Sequence, residues 1–437
     1  MTKTDERATR PADAKSKGAL LLERMSPEEE ARAAKVEAVL PALRAAAEEA
    51  DRQGEFQRAH VGLLREAGLL GLIVPKEYGG MGGTLRDLVA ATFAMGSACP
   101  STALAFFFHC SSASRGLLPL EAISAGLFDA REVPEVKAFG EKLLHKMGTE
   151  GKWLANFASE SVKTSASALT ITTEAVPVEG GFRVSGVKSF GCATGVADEY
   201  LVTAKLAGSS TTEGLGVFFV KRDAEGVSER QKWDAVGMRA TATHGIVLKD
   251  VFVKADDALA LPGAFLKMMQ VSRGSFVGNQ LAVTGVYLGA AQGVYDYARG
   301  HLTRNTFKDT GRPIGESPVN LELIGKMLVD LTTGYLWLRR QIELETSDPP
   351  ILPKPAVVQH WRMCKGEVCE ASFRVATGAL KACGTGNTGN SGPIARGLRD
   401  LCMGLVQAFP AETGRLEAAR YEVTEGERAQ FSVAGTK

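Results

Sequence analysis

Long apolar runs are missing from this chain. No stretch approaches the roughly 18 apolar residues that a membrane-spanning helix needs. Charge of one sign is also lacking: Lys and Arg total 51 against 50 Asp and Glu, and no long basic run occurs. An electrostatic case for nucleic acid is therefore absent. Seven cysteines (99, 110, 192, 364, 369, 383 and 402) are scattered and odd in number, with no paired metal-ligand spacing. They read as reduced thiols, and neither a disulfide framework nor a metal site is expected. No GxGxxG follows a strand-like run to open a parallel dinucleotide fold, and no internal repeat is visible. The opening "MTKTDERATRPADAKSKG" has no apolar core of a secretory signal. Residues 1–24 are expected to form a disordered leader, and a cytoplasmic location is expected with it.

What is present is the composition of an ordinary globular protein, 45% hydrophobic and 23% charged. At 437 residues, two or three subdomains are expected. The first third is helical in pattern. In "SPEE", Ser26 can cap a helix, Pro27 suits its first turn and Glu29 can close a capping box. Val36, Leu40, Leu43 and Ala47 then recur every three or four residues on one face. Pro41 within that run predicts a kink or a break. "VGLLREAGLLGLIVPKEYGGMGG" reads as a helix ending at Gly68, an apolar run and a glycine-rich turn, and Leu85 to about Leu118 is apolar and helical.

From Trp153 to Leu261 the texture changes. "ALTITTEAV", "GFRVSGVKSF", "EYLVTAKL", "GLGVFFVKRD" and "HGIVLKDVFV" are short, rich in β-branched or aromatic residues, and separated by turns such as Glu179-Gly180-Gly181. Close strands without intervening helices predict an antiparallel β domain or small barrel. Beyond Pro262 the helical period returns. Ile324, Leu328, Leu331, Tyr335, Leu338 and Ile342 predict one buried helix face, with Ser317-Pro318 as its start. The expected class is α+β: an α-helical domain over 25–152, a central β domain over 153–261 and a C-terminal helical bundle over 262–437.

This order, and five motifs in sequence, resemble the acyl-CoA dehydrogenase family of flavoproteins, from about Val36 to Leu416. The motifs are "LREAGLLGLIVPKEYGGMGG", "GVKSFGCATGVADEYLVTA", "VGMRATATHGIVLKDVFV", "RNTFKDTGRPI" and "ACGTGNTGNSGPIARGLRD". The resemblance implies a C-terminal four-helix bundle, and an FAD bound between the β domain and the C-terminal helices. It implies a homotetramer in which a neighbouring subunit completes the cofactor site. Ser159 and Ser165 match family hydroxyls near the flavin, though they equally suit ordinary turns. Phe190 and Cys192 fall on the family's Trp-x-Thr, with the aromatic kept and the threonine replaced. Arg304 and Phe307 match the Arg-x-x-Phe that meets the cofactor diphosphate, where a planar guanidinium makes two charge-assisted bonds. Gly384 and Gly386 match the glycine turn, and would otherwise simply end a helix.

The family reaction removes an α proton from an acyl thioester while hydride leaves for the flavin, which calls for an aimed carboxylate. Aligned without a gap, "RDLCMGLVQAFPAETGRL" puts Ala408 where that glutamate belongs. The other family position, before Arg273, is Ser272. Three readings follow. In the leading one, Glu412 is a displaced base and the protein dehydrogenates an acyl thioester on CoA or a carrier protein. Arg273 then meets the carrier arm, Gln270 replaces the usual acid, and an electron-accepting flavoprotein is the partner. Glu412 is alternatively a plain carboxylate at a helix N-terminus. In the second reading the protein is a two-component monooxygenase fed by a flavin reductase, which needs no base; His109 is its candidate histidine, or else a buried structural one. In the third it binds flavin without dehydrogenase activity.

Overall fold

The structure, a computed structural model, describes residues 16–162, 169–273, 280–424 and 431–433. Seven helices open the chain: α1 (Lys17–Leu22), α2 (Pro27–Gln53), α3 (Ala59–Glu66), α4 (Leu85–Gly96), α5 (Pro100–Ser112), α6 (Ser114–Ser124) and α7 (Val133–Gly148). The capping box forms as the sequence indicates. Ser26 Oγ accepts from Glu29 N at 3.2 Å, and Glu29 Oε2 accepts from Ser26 N at 2.8 Å. Two expectations need correction. Helix α2 runs through Pro41 without the break that is one of the two expectations there, with the ring on the exposed side. The leader expected through residue 24 also ends early, since α1 is docked. Ser16 caps it, Leu21 is fully buried, and Arg339 Nε donates to Leu21 O at 2.6 Å. Burying that one leucine contributes about 2 kcal/mol. The Leu20-Leu21-Leu22 run was the overlooked signal.

Helix α5 is apolar nearly all round and is buried nearly all round, so it forms the axis of this domain. The central domain is a curled mixed sheet in the order β7-β8-β4-β3-β5-β6-β9, with β1 also on β5. Its strands are β1 (Leu154–Phe157), β3 (Glu174–Val178), β4 (Gly181–Lys188), β5 (Glu199–Leu206), β6 (Leu215–Lys221), β7 (Val227–Glu229), β8 (Ile246–Lys254) and β9 (Ala258–Leu259). Most pairs are antiparallel; β1 and β3 run parallel to β5. The β3–β4 hairpin turns at Glu179-Gly180, where φ of 76° suits glycine. A separate parallel pair joins β2 (Leu169–Ile171) to β10 (Phe431–Val433).

The chain closes with α8 (Ala264–Val271), α9 (Gln280–Arg304), α10 (Pro318–Thr346), α11 (Lys354–Cys383), α12 (Pro393–Gly404) and α13 (Ala411–Thr424). Ser317 caps α10 as expected. The proposed buried face of α10 holds at Leu331, Leu338 and Ile342 but fails at Leu328, which is 45% exposed because the buried face runs through its neighbour Met327 instead. Helix α9 lies close against α4: a Cβ at Gly289 would stand 2.0 Å from Phe93 O. That contact fastens the bundle to the first domain. Among the described residues, no helix is long and apolar enough to cross a membrane.

Candidate functional site

Two loops of the β domain meet at its edge, one after β4 and one before β8. Three non-glycine residues there have left-handed backbone: Ala193 (φ 61°), Met238 (φ 50°) and Ala242 (φ 48°). Each costs about 1–2 kcal/mol, and such strain concentrates where a backbone must present groups to a ligand. The loops brace each other through Ala193 N to Thr241 O and Thr194 N to Ala242 O, both 2.9 Å. Cys192 Sγ lies 3.1 Å from Thr243 Oγ1, which is 2.7 Å from Thr241 Oγ1. Burial pushes the Cys192 thiol up to about 12, so it stays protonated. Phe190 is 50% exposed, with Trp233 edge-on at 6.1 Å.

The bundle closes the other side. Asp400 Oδ1 on α12 accepts from Met238 N at 2.7 Å, and a Cβ at Gly237 would stand 1.9 Å from Arg399 O. Burial pushes the Asp400 carboxyl up to about 6, with Asp51 adding to the rise and Arg396 and Arg399 opposing it. Tyr287 on α9 is fully buried and donates its hydroxyl to Gln407 Oε1. Its neighbour in the chain, Ala408, has φ of 65° and is exposed. Lys365 on α11 is buried, and burial lowers its pKa. Its Nζ donates to Gly404 O at 2.8 Å and to Phe409 O, pinning both ends of the segment that carries Ala408. Beside it is a hollow of about 140 Å³ lined by Lys365, Cys369, Glu370, Gly404, Ala411 and Glu412.

Cys192 lies within electrostatic reach of Tyr287, the residue that holds Gln407 beside Ala408. Ser159 meets the start of the Phe190 loop, since its carbonyl accepts from Ser189 N at 2.9 Å. Ser165 lies outside the described residues. The residue after Ser159 matters more to the scaffold: buried Glu160 pairs with Lys188 at 2.6 Å and accepts from Thr172 N and Thr173 N at 2.8 and 3.1 Å. Burial raises its pKa, but Lys188 and the threonine donors outweigh that and hold the carboxylate below its ordinary value.

Arg304, Phe307, Gly384 and Gly386 gather elsewhere, where α9 and α11 end. Tyr297 of α9 donates to Asn387 Oδ1 at 3.1 Å, just past Gly384, which caps α11 at φ 70°. A Cβ at Gly386 would meet nothing within 4 Å, and Arg304 is exposed, with no ion pair among the described residues. No hydrogen bond between described residues links this group to the Phe190 locale.

Glu412 sits in the first turn of α13. It is 74% exposed and paired with Arg415 at 3.2 Å. Arg273 is also exposed and donates to Ser347 O at 2.6 Å, and Ser272 is buried at the end of α8. His109 is structural: Nδ1 accepts from Leu154 N at 2.9 Å, so the opposite nitrogen, Nε2, carries the proton donated to Leu70 O at 2.8 Å. Burial lowers its pKa to about 4. Sequence reasoning missed Lys365, Tyr287 and Glu160. Lys365 had a signal, a lysine within an apolar helical face.

Comparison with known proteins makes this chain a flavoprotein oxidoreductase. The chain belongs to the acyl-CoA dehydrogenase family, matching its N-terminal domain over 26–119, its middle domain over 134–251 and its C-terminal domain over 269–404. It is 26% identical over 364 residues to the putative acyl-CoA dehydrogenase YdbM of Bacillus subtilis, covering 82% of this chain and 88% of that one. It is 31% identical over 263 residues to the L-evernosamine nitrososynthase of a Micromonospora species (60% and 59% covered). It is 29% identical over 266 residues to the dibenzothiophene monooxygenase of Rhodococcus erythropolis (59% and 58%). Among solved structures, KijD3 in complex with FMN superposes with a TM-score of 0.76 at 24% identity, covering 95% of this chain and 97% of that one, a likeness of fold.

Proposed function

We propose that this protein is a two-component flavin-dependent monooxygenase, which oxygenates a nucleophilic nitrogen or sulfur with flavin reduced by a separate reductase. The observation that carries the reading is the state of the expected base. Ala408 has no carboxylate, and the only nearby substitute the sequence offered, Glu412, faces solvent in an ion pair with Arg415. A nucleophilic lone pair, unlike an α carbon, needs no proton removed before it reacts. The nitrososynthase and dibenzothiophene monooxygenase relatives support the same direction. YdbM supports dehydrogenation, but the carboxylates beside that segment, Glu370 and Glu412, are both paired with Arg415 at 3.2 Å.

The residues fit a flavin. Phe190 and Trp233 offer an aromatic face, the 193 and 242 backbones bracket it, and Arg304 beside the Gly384 turn suits a phosphate. FAD remains the cofactor we propose, held by Ser159, Phe190 and Cys192 of one subunit, and by Arg304, Phe307, Gly384 and Gly386 of a neighbour. Leu321, Leu328, Val329 and Leu336 lie exposed on one side of α10, which supports a homo-oligomer, with a tetramer as our expectation. Reduced flavin supplies two electrons to dioxygen, so that one oxygen atom reaches the substrate and the other leaves as water. The chain's own part is positioning: Lys365 fixes the 404–409 segment, Tyr287 holds Gln407, and the protonated Cys192 thiol and its threonines supply neutral hydrogen bonds.

The test uses labelled dioxygen, a flavin reductase with NADH, and a panel of thioethers and amino sugars. Label in the product supports the reading. Absence of label from every substrate, together with anaerobic loss of flavin colour on adding acyl-CoA, would sink it.

A further inference from the structure

His109 has a counterpart at the edge of the β domain. In the loop before β8, Trp233 N donates to His244 Nδ1 at 2.8 Å. The neutral ring must then carry its proton on Nε2. Trp233 is tied at a second point, since its Nε1 donates to Met238 O at 3.0 Å, and its ring stands edge-on to Phe190 at 6.1 Å. His244 thus fixes the backbone of the residue that supports the half-exposed Phe190.

The two histidines differ in what pH can do to them. His109 is fully buried and pushed down to about 4, so it stays neutral wherever the protein is handled. His244 is half-buried, and burial lowers its pKa from 6.5. Glu229 on β7 opposes that fall, and Lys232, next to Trp233, adds to it. Arg230 is also close, with its N donating to Gly245 O at 3.1 Å, while Lys188 on β4 is paired with Glu160. A second proton on His244 goes to Nδ1, where an N–H would then face the Trp233 N–H. The bond is lost, and the ring must turn away from the backbone it holds.

We propose that neutral His244 is a positioning residue for the aromatic pair Trp233 and Phe190, and that its protonation weakens flavin binding. The proposal rests on the reading of that pair as the face that receives the flavin ring. Affinity is then full above the His244 pKa and falls as pH drops through it, by up to tenfold per unit. The fall ends where the protonated protein's own weaker binding takes over. A lost bond to a backbone donor puts the total at roughly tenfold to a hundredfold.

The test titrates FAD into the flavin-free full chain from about pH 5 to 8, with tryptophan emission recorded in parallel. FAD is the probe because its diphosphate keeps its charge over that range, unlike a phosphate monoester. Asp400 bonds the same loop and titrates near 6, so each variant is compared with wild type at every pH. The variants are His244→Asn, His244→Leu and Trp233→Phe. Asparagine keeps an acceptor near the place of Nδ1 and does not titrate. Wild type should lose the stated affinity below pH 6.5, with a matching change in emission. His244→Asn should bind as wild type does at pH 8 and lack both of the His244-dependent changes. His244→Leu should bind as weakly at pH 8 as wild type does at the acid end. Trp233→Phe should remove the emission change, which assigns it. If the leucine variant does not fold, the asparagine variant decides. The same pH dependence in wild type and His244→Asn, in affinity and emission alike, would overturn the hold of His244 on Trp233. An emission change specific to wild type, with FAD affinity unmoved, would leave that hold standing and overturn the flavin reading of the pair, and the proposal with it.

Discussion

Asp400 joins the strained Met238 loop to α12 from a fully buried position, so replacing it with asparagine probes the site's electrostatics with little change of shape. Asparagine keeps an oxygen to accept from Met238 N. In the folded protein, burial raises the carboxyl from 3.8 to about 6, so the folded state holds its proton more tightly than the unfolded state. Its stability contribution is thus complete below pH 3.8 and is lost as pH rises through 6. The shift of about 2 units corresponds to about 3 kcal/mol at 1.36 kcal/mol per unit. Unfolding entropy near 2.1 cal/mol/K per residue, over 437 residues, makes that about 3 °C in melting temperature. Asp400→Asn should therefore melt about 3 °C above wild type at pH 7.5, and the advantage should shrink towards pH 4. Paired thermal scans at one rate across that range measure the difference. A variant that melts below wild type at pH 7.5, with the wild-type pH slope intact, would refute the reasoning.

Lys365→Met leaves Gly404 O and Phe409 O without their buried donor; a loss of about 2 kcal/mol is expected in denaturant titration, with a fall in turnover as the 404–409 segment loosens. Glu412→Gln removes only an exposed helix-terminal charge, so steady-state turnover should stay within about threefold of wild type. A larger fall would return Glu412 to the mechanism. Ala408→Gly relaxes a left-handed backbone at φ 65° and should gain about 0.5 kcal/mol after glycine's greater unfolded entropy is counted, read as a higher denaturation midpoint.

The three-part organisation was legible because its signals are local: the capping box at Ser26, the hairpin glycine at 180 and the cap at Ser317 each act within four residues. The leader was misjudged because α1 is too short to be stable alone and owes its order to tertiary contacts, such as Arg339 on the Leu21 carbonyl. Leu328 shows a different limit, since steps of three and four leave open which of two adjacent residues, Met327 or Leu328, faces the core. For the proposed site, the sequence named Phe190 and Cys192 as candidates and marked the missing carboxylate at 408. It could not show that Lys365 braces that segment from more than 35 residues away, or that Glu412 faces solvent, because both depend on how α11 and α13 meet. The bond from Trp233 N to His244 was equally invisible, because it depends on how the loop before β8 folds back on itself.

The central claim is that this site lacks a base able to take an α proton. It is tested most directly by mixing the flavin-loaded protein, without oxygen, with short, branched and aromatic acyl-CoAs while following the visible flavin spectrum. An unchanged spectrum with every thioester, from a sample whose flavin is still reduced by its reductase, is the expected result. Rapid loss of flavin colour with any of them would contradict the account.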